Sequence, residues 1–201
     1  MYVIAVAGLP GSGKSYLAKL LSERLECILL SKDSFKEILF DSIGFHNRNE
    51  KTALNAAALE TMFYVARQIV ESGGNVILEN NFEKNAYPYF ECLSQVPSVS
   101  IITVFVGGDK KAIYKRYIAR DKDPSRHRGH VLSTEYPERT NIGIIPEPIS
   151  FQLFCRRFAA RGMSNFCVGS QLIRVDATDF SKVDYDDIVL QVRKAIELCG
   201  D

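Results

Sequence analysis

The sequence predicts a three-layer α/β protein, a parallel sheet held between two layers of helices. Three observations point there. Short apolar runs recur along the chain, at Tyr2 to Ala7, Cys27 to Leu30, Val76 to Leu78, Ser100 to Val106 and Leu172 to Val175. The first is apolar throughout, as expected of a strand buried on both faces. Longer stretches with apolar residues at helical spacing separate the runs, and that alternation is the signature of a parallel sheet with helices on both sides.

The elements follow in order. The first strand runs into a glycine-rich loop, Gly8 to Gly13, and then a helix from Lys14 to Leu25, with Leu17, Leu20 and Leu21 on one face. The second strand ends before Ser34-Phe-Lys-Glu37, which reads as a capping box opening a helix through Phe40. The polar stretch from Asp41 to Glu50 reads as a loop. Leu54, Ala57, Ala58, Thr61, Met62, Val65 and Ile69 form the stripe of a long helix that stops at Gly73-Gly74. After the fourth strand, Gly107-Gly108 precedes a helix from about Asp109 to Arg120. Asp121 to Pro148 shows no clear period and is longer than a structural loop usually is, which predicts a functional lid. Helices are expected over Ile149 to Arg161 and Asp184 to Leu198.

The 201 residues predict a single domain over 1–201, with a lid at about 116–148. The composition, 46% hydrophobic and 24% charged, is that of an ordinary globular protein. A net charge of +1 argues against a surface built to grip long nucleic acid, though a local basic patch stays open. The five cysteines are odd in number and form no CxxC pair, so reduced thiols are expected rather than a disulfide framework or zinc site. The N-terminal apolar run is short and has no basic stretch before it, so it reads as a strand and not a signal peptide. No run approaches the roughly 18 apolar residues of a membrane span. A cytoplasmic protein is expected; the oligomeric state is open.

Gly8-Leu-Pro10-Gly11-Ser12-Gly13-Lys14-Ser15 fits GxxxxGK[ST] without a gap. The glycines let successive amide N–H groups turn round an anion, and the helix N-terminus behind them adds its dipole. Lys14 is placed to reach the β- and γ-phosphates and Ser15 to ligate Mg²⁺. The predicted ligands are ATP and Mg²⁺. Asp33, just past the second strand, is the candidate to take a proton from an acceptor hydroxyl; the alternative is a helix-capping role. Lys32 and Lys36 flank it and could bind an anionic acceptor, though solvated lysines are the default for such a pair. Glu79, at the end of the third strand, is the candidate second-shell group for Mg²⁺; a plain Walker-B aspartate is missing. Arg116, Arg120, Arg126 and Arg128 concentrate charge at the lid, and at least two of them are expected to neutralise the transferring phosphoryl group. His127 and His130, with no third ligand nearby, read as polar lid residues.

GLPGSGKS, SKDSF, VILENNF, RHRGH and RVDAT together resemble the small P-loop kinases of the AAA-domain-labelled group. That group includes polynucleotide 5′-hydroxyl kinase domains, chloramphenicol phosphotransferase and zeta-toxin-like sugar-nucleotide kinases. The resemblance implies a nucleoside-monophosphate-kinase-like fold with strand order 2-3-1-4-5. It places Asp33 as the acceptor-activating aspartate and Arg120, Arg126 and Arg128 in the lid. It sets Asp176 and Ala177 in the loop bordering the adenine. Glu79-Asn80-Asn81 departs from the aspartate that several relatives carry after the third strand. The implied activity is ATP-dependent transfer to a hydroxyl of a small or nucleotide-like acceptor, with polynucleotide 5′-kinase or a non-catalytic nucleotide-binding ATPase as the alternatives. Two GTPase-like fragments, Asp41-Ser-Ile-Gly44 and Ser181-Lys-Val-Asp184, lack the strand and spacing a switch requires. Acceptor contacts are sought among Phe35, Phe45, His46, Arg48, Asn80, Asn81 and Phe82, which no local rule ranks.

Overall fold

A computed structural model describes residues 1–140 and 143–199. Five strands, β1 (Tyr2–Gly8), β2 (Ile28–Ser31), β3 (Val76–Glu79), β4 (Ser100–Gly107) and β5 (Gln171–Asp176), form one parallel sheet in the order β2-β3-β1-β4-β5. The chain moves outward from β1 in one direction and then in the other. The switch of direction leaves a crevice at the C-terminal end of β1, where Gly8 begins the glycine loop.

Alternate residues of each strand serve opposite layers. Val3, Ala5 and Ala7 pack with Leu78 and Phe105 against α3 (Arg48–Glu71) and α4 (Tyr87–Ser94), through Met62, Phe63, Ala66, Phe90 and Leu93. Ile4 and Val6 pack with Ile77, Ile102 and Val104 against α1 (Lys14–Leu25) and α8 (Tyr185–Leu198), through Leu17, Leu21, Val189 and Val192. Two-sided burial is why β1 has no polar face. A third apolar group, Leu9, Ile113, Phe154, Phe158 and Met163, joins the glycine loop to α5 (Lys110–Arg120) and α7 (Phe151–Ala160). No helix of the described residues is long and apolar enough to cross a membrane.

Three expectations change. Helix α2 spans Lys32–Ile43, so it follows β2 with no intervening loop, and Ser34 opens nothing. Ser31 holds the N-cap position, but its hydroxyl donates to Glu79 and makes no cap bond. The expected capping box fails because Glu37 lies against His130, 2.7 Å away, rather than folding back on the helix start. Helix α3 begins at Arg48, six residues before the apolar stripe does. Asn47 Oδ1 accepts from Glu50 N at 3.0 Å, and Glu50 accepts from Asn47 Nδ2 and His46 N, so the polar stretch is partly a cap. Helix α4, preceded by a 3₁₀ turn at Lys84–Ala86, fills a region with no element assigned from sequence.

The segment expected to be a lid, 116–148, is short helix and loop over its described residues, and Asn141 and Ile142 lie outside them. Helix α5 runs to Arg120, and α6 (Arg128–Val131) caps the cavity described below. Gly129 of α6 sits so close to Phe40 that an added Cβ would lie 2.3 Å from its ring. Tyr136 pairs with Phe45 in an antiparallel bridge, its hydroxyl donates to Asp41 at 2.6 Å, and its ring stacks on Phe45. His127 Nδ1 accepts from Gly129 N, which puts the ring proton on Nε2, 3.0 Å from Asp41. These contacts fasten the lid to the end of α2.

Candidate active site

The loop from Gly8 to Ser15 turns from β1 into α1 with Gly13 at φ 93°, a left-handed conformation that an L side chain resists. A Cβ there would also lie 2.7 Å from the Phe180 ring. Ser12 is fully buried and its hydroxyl has no partner among the described residues, which fits a loop whose polar groups serve an anion. Lys14 is 4% exposed and donates to Leu9 O at 3.5 Å. Burial lowers its pKa, partly opposed by Glu79.

Behind the loop, β3 delivers Glu79 between two hydroxyls. Glu79 Oε1 accepts from Ser15 at 3.1 Å and stands 3.8 Å from Lys14 Nζ, while Oε2 accepts from Ser31 at 2.7 Å. Among the described residues no three His, Cys, Asp or Glu side chains converge as a metal cage. That set fits Mg²⁺, which keeps waters and phosphate oxygens and takes one or two protein ligands.

On the α5 side of the loop a cleft of 460 Å³ is lined by Gly11, Gly13, Lys14, Arg116, Arg120 and Phe180. Arg116 donates to Ala177 O at 2.7 Å and lies 4.0 Å over the Phe180 ring, a cation–π pair. Asp176 is turned inward to Thr178, accepting from its amide at 2.9 Å and from its hydroxyl at 2.5 Å. It therefore shapes the turn after β5, and Phe180 is the residue of that turn that faces the loop. Sequence reading passed over Phe180, although an aromatic shortly after the last strand was visible in it.

On the other side of Pro10 lies an inner cavity of 290 Å³, which holds Asp33. Arg120 lines both spaces. Burial alone would push the Asp33 carboxyl up. The permanent cations Lys36, Lys14 and Arg126 outweigh it and hold the group below the usual carboxylate range. Lys36 Nζ is 3.9 Å from Asp33 Oδ1. Burial keeps His130 neutral, its Nε2 on Glu37. Arg126 stands 3.9 Å from Asp121, and the Nε atoms of Arg120 and Arg126 are both buried without a hydrogen-bond partner.

Arg128 is elsewhere. Its guanidinium takes both carboxylate oxygens of Glu138 and the Ile144 carbonyl, and it lines neither space. The structure brings Lys14, Ser15, Glu79, Asp33, Arg120 and Arg126 together, keeps Arg116 at the rim beside Phe180, and leaves Arg128 as a lid brace. Of the suggested acceptor contacts, Asn81 lines the inner cavity, whereas Phe45 and Phe82 are fully buried in the core.

The AAA domain family matches residues 3–133. The chain belongs to this family. For an AAA-domain protein, the matched segment holds the glycine loop, Asp33, Glu79 and the lid arginines. No curated protein matches the chain. Among solved structures, a protein from Chloroflexus aurantiacus classed as a kinase has a TM-score of 0.75 at 24% identity, over 98% of this chain and 95% of its own. A sugar kinase from a Janibacter species has a TM-score of 0.58 at 13% identity, over 99% and 95%. Shikimate kinase from Bacteroides thetaiotaomicron has 0.55 at 13% identity, over 98% of each chain. At these identities the likeness is one of fold, and the fold is that of the kinase-like P-loop NTPases.

Proposed function

We propose that the protein is an ATP-dependent phosphotransferase that moves the γ-phosphoryl group to a hydroxyl of a small acceptor. One observation carries this reading. An ionised carboxylate, Asp33, lies in a cationic cavity that meets the cleft beside the phosphate loop at a shared arginine, Arg120. A nucleotide switch or a motor has no use for that second cavity.

Lys14 and the loop amides hold the β- and γ-phosphates, with Phe180 and Arg116 at the outer end of the cleft. Mg²⁺, held by Ser15 and reached by Glu79, would neutralise phosphate charge. Arg120 and Arg126 offer unpartnered guanidinium N–H groups where charge gathers during transfer. Asp33 accepts the hydrogen bond of the acceptor hydroxyl and aims its oxygen at phosphorus. As the new P–O bond forms, the hydroxyl proton passes to Asp33 and on to solvent. The electron pair of the broken bond leaves on the β-phosphate of ADP. With its pKa so low, Asp33 orients more than it pulls, which suits a loose transition state in which the proton moves late. The five free cysteines fit a cytoplasmic setting.

The test is purified protein with ATP and Mg²⁺ against sugars, sugar acids, nucleosides, nucleotides and 5′-hydroxyl oligonucleotides. ADP release and product mass are followed together. The reading predicts an acceptor that gains one phosphoryl group, and turnover abolished by Lys14→Met. ATP hydrolysis equal with and without every acceptor would contradict it.

A further inference from the structure

The inner cavity carries more positive charge than phosphoryl transfer requires. Seven lysines and arginines line it against three carboxylates. In charge alone, the carboxylates offset three of the seven. Arg161 holds Glu83 with two nitrogens, Lys36 lies beside Asp33, and Arg126 beside Asp121. Arg120 also lines the cleft beside the phosphate loop and is accounted for by the triphosphate. Lys32, Lys51 and Arg157 remain.

Lys32 is only 6% exposed and makes no hydrogen bond or ion pair among the described residues. Lys51 donates to the carbonyls of His130 and Leu132 and lies over the Phe40 and Phe45 rings, which orient its ammonium, and it has no ion pair among the described residues. Arg157, from α7, has no partner among the described residues. Asn81 also lines the cavity; its buried Oδ1 has no partner among the described residues and could accept from a hydroxyl of the ligand, not from its phosphate. These groups come from α2, α3, α7 and the turn after β3, so no single helix end or surface run accounts for them. Burial first, and then neighbouring cations, lower both Lys32 and Lys51 to about 8, against the weaker pull of Asp33 and Glu83 on Lys32 and of Asp121 on Lys51.

Lys51 is half-buried and Arg157 stands at the open side of the cavity, but Lys32 is buried, and a neutral polyol would leave its charge without a counter-ion, an arrangement proteins avoid unless an anion is due there. We propose that the acceptor carries a phosphate group of its own, remote from the hydroxyl that receives the new one, and that Lys32, Lys51 and Arg157 hold it. This rests on the kinase reading and names its substrate class. The acceptor is a small phosphate ester: the cavity of 290 Å³ continues into a neighbouring space of 600 Å³, which shares Lys51 and Arg157 with it and is lined on its far side by Ile145, Pro146, Pro148 and Ile149. The bound phosphate would set the ester's register, bringing its free hydroxyl to Asp33.

The experiment uses matched pairs that differ by one phosphate: fructose and fructose 6-phosphate, glycerol and glycerol 3-phosphate, adenosine and AMP. A 5′-hydroxyl oligonucleotide is the fourth probe. Each is titrated calorimetrically into full-length protein saturated with Mg²⁺ and a non-hydrolysable ATP analogue, and each is assayed for turnover with ATP. At least one phosphorylated member is expected to bind ten- to a hundred-fold more tightly than its neutral partner, roughly the worth of charge-assisted bonds to a phosphate. Lys32→Met should erase that preference, and so should Arg157→Met, an exposed position whose variant folds if the first does not. If the esters bind in this way yet none is turned over, the anion site stands and the kinase reading fails. If neutral members bind or react as well as their esters, the kinase reading stands and the anion site is wrong. Failure of every ester to bind, or preference for the oligonucleotide, also overturns the proposal.

Discussion

At the residue scale, the site is a set of charges held against their own solvation. Lys32 shows it most plainly. Its pKa falls from 10.5 to about 8 because the folded chain buries the ammonium beside Lys36. The penalty is fully present below about pH 8, where the group is charged in both states, and disappears above its unfolded value, where it is charged in neither. Lys32→Met should therefore stabilise the protein at neutral pH, by about 1–3 kcal/mol on the value of a pKa unit, while weakening phosphate-ester binding. Thermal melts at pH 7 and near pH 11 check this; a variant less stable at pH 7 would contradict it. Asp33 has the opposite sign. It is held below the usual range, so it stays ionised as pH falls toward its ordinary value of 3.8, and its stabilising contribution is lost only below that. The pH–rate profile should show no acid limb between about pH 5 and 7. A limb there that vanished in Asp33→Asn would contradict the charge environment described.

At the scale of elements, the lid is tied down from α2 and braced from within. Tyr136→Phe removes the bond to Asp41 and should speed amide exchange across 128–138 while changing stability by only about 1 kcal/mol. Exchange unchanged in that segment would mean Tyr136 is not its anchor. Arg128→Gln should likewise loosen the lid through loss of Glu138, and leave ATP affinity within about two-fold. A loss of ATP affinity as large as that from Arg120→Gln would return Arg128 to the phosphate. Elements also divide what could be read from what could not. β1, α1 and the long stripe of α3 were legible because two-sided burial or one apolar face writes itself into the spacing. The start of α2 was not, because the Ser31 hydroxyl serves Glu79 rather than the helix, a choice made by tertiary contact. The start of α3 was legible in principle, since Asn47 and Glu50 carry the cap. Pro88 in the first turn of α4, ahead of Phe90 and Leu93, was the missed signal for that helix.

At the scale of the whole molecule, the two halves of the site differ in how they are encoded. The donor half is nearly continuous in sequence, Gly8 to Ser15, because a strand–loop–helix turn can supply all its amides. Its occupation should be visible in stability. ATP with Mg²⁺ at about a hundred times its dissociation constant adds about 2.7 kcal/mol, or roughly 5–11 °C in melting temperature for a chain of this size. The proposed acceptor half joins Lys32, Lys51, Asn81, Arg126, Arg157 and Arg161, residues no local rule connects, and only the parallel sheet with α3, α7 and the 116–148 segment folded over its end puts them in one cavity. The cluster of lid arginines was visible as charge, but their division into Arg120 and Arg126 at the cavity and Arg128 on Glu138 depends on where α6 docks. The claim that joins the halves is that Asp33 positions an acceptor hydroxyl against a nucleotide held by the loop. Its most direct test is single-turnover transfer from γ-labelled ATP by wild type and Asp33→Asn, with nucleotide affinity measured on the same samples. The account predicts transfer reduced about 10²–10⁴-fold with ATP affinity kept within a few-fold; transfer at the wild-type rate in Asp33→Asn would contradict it.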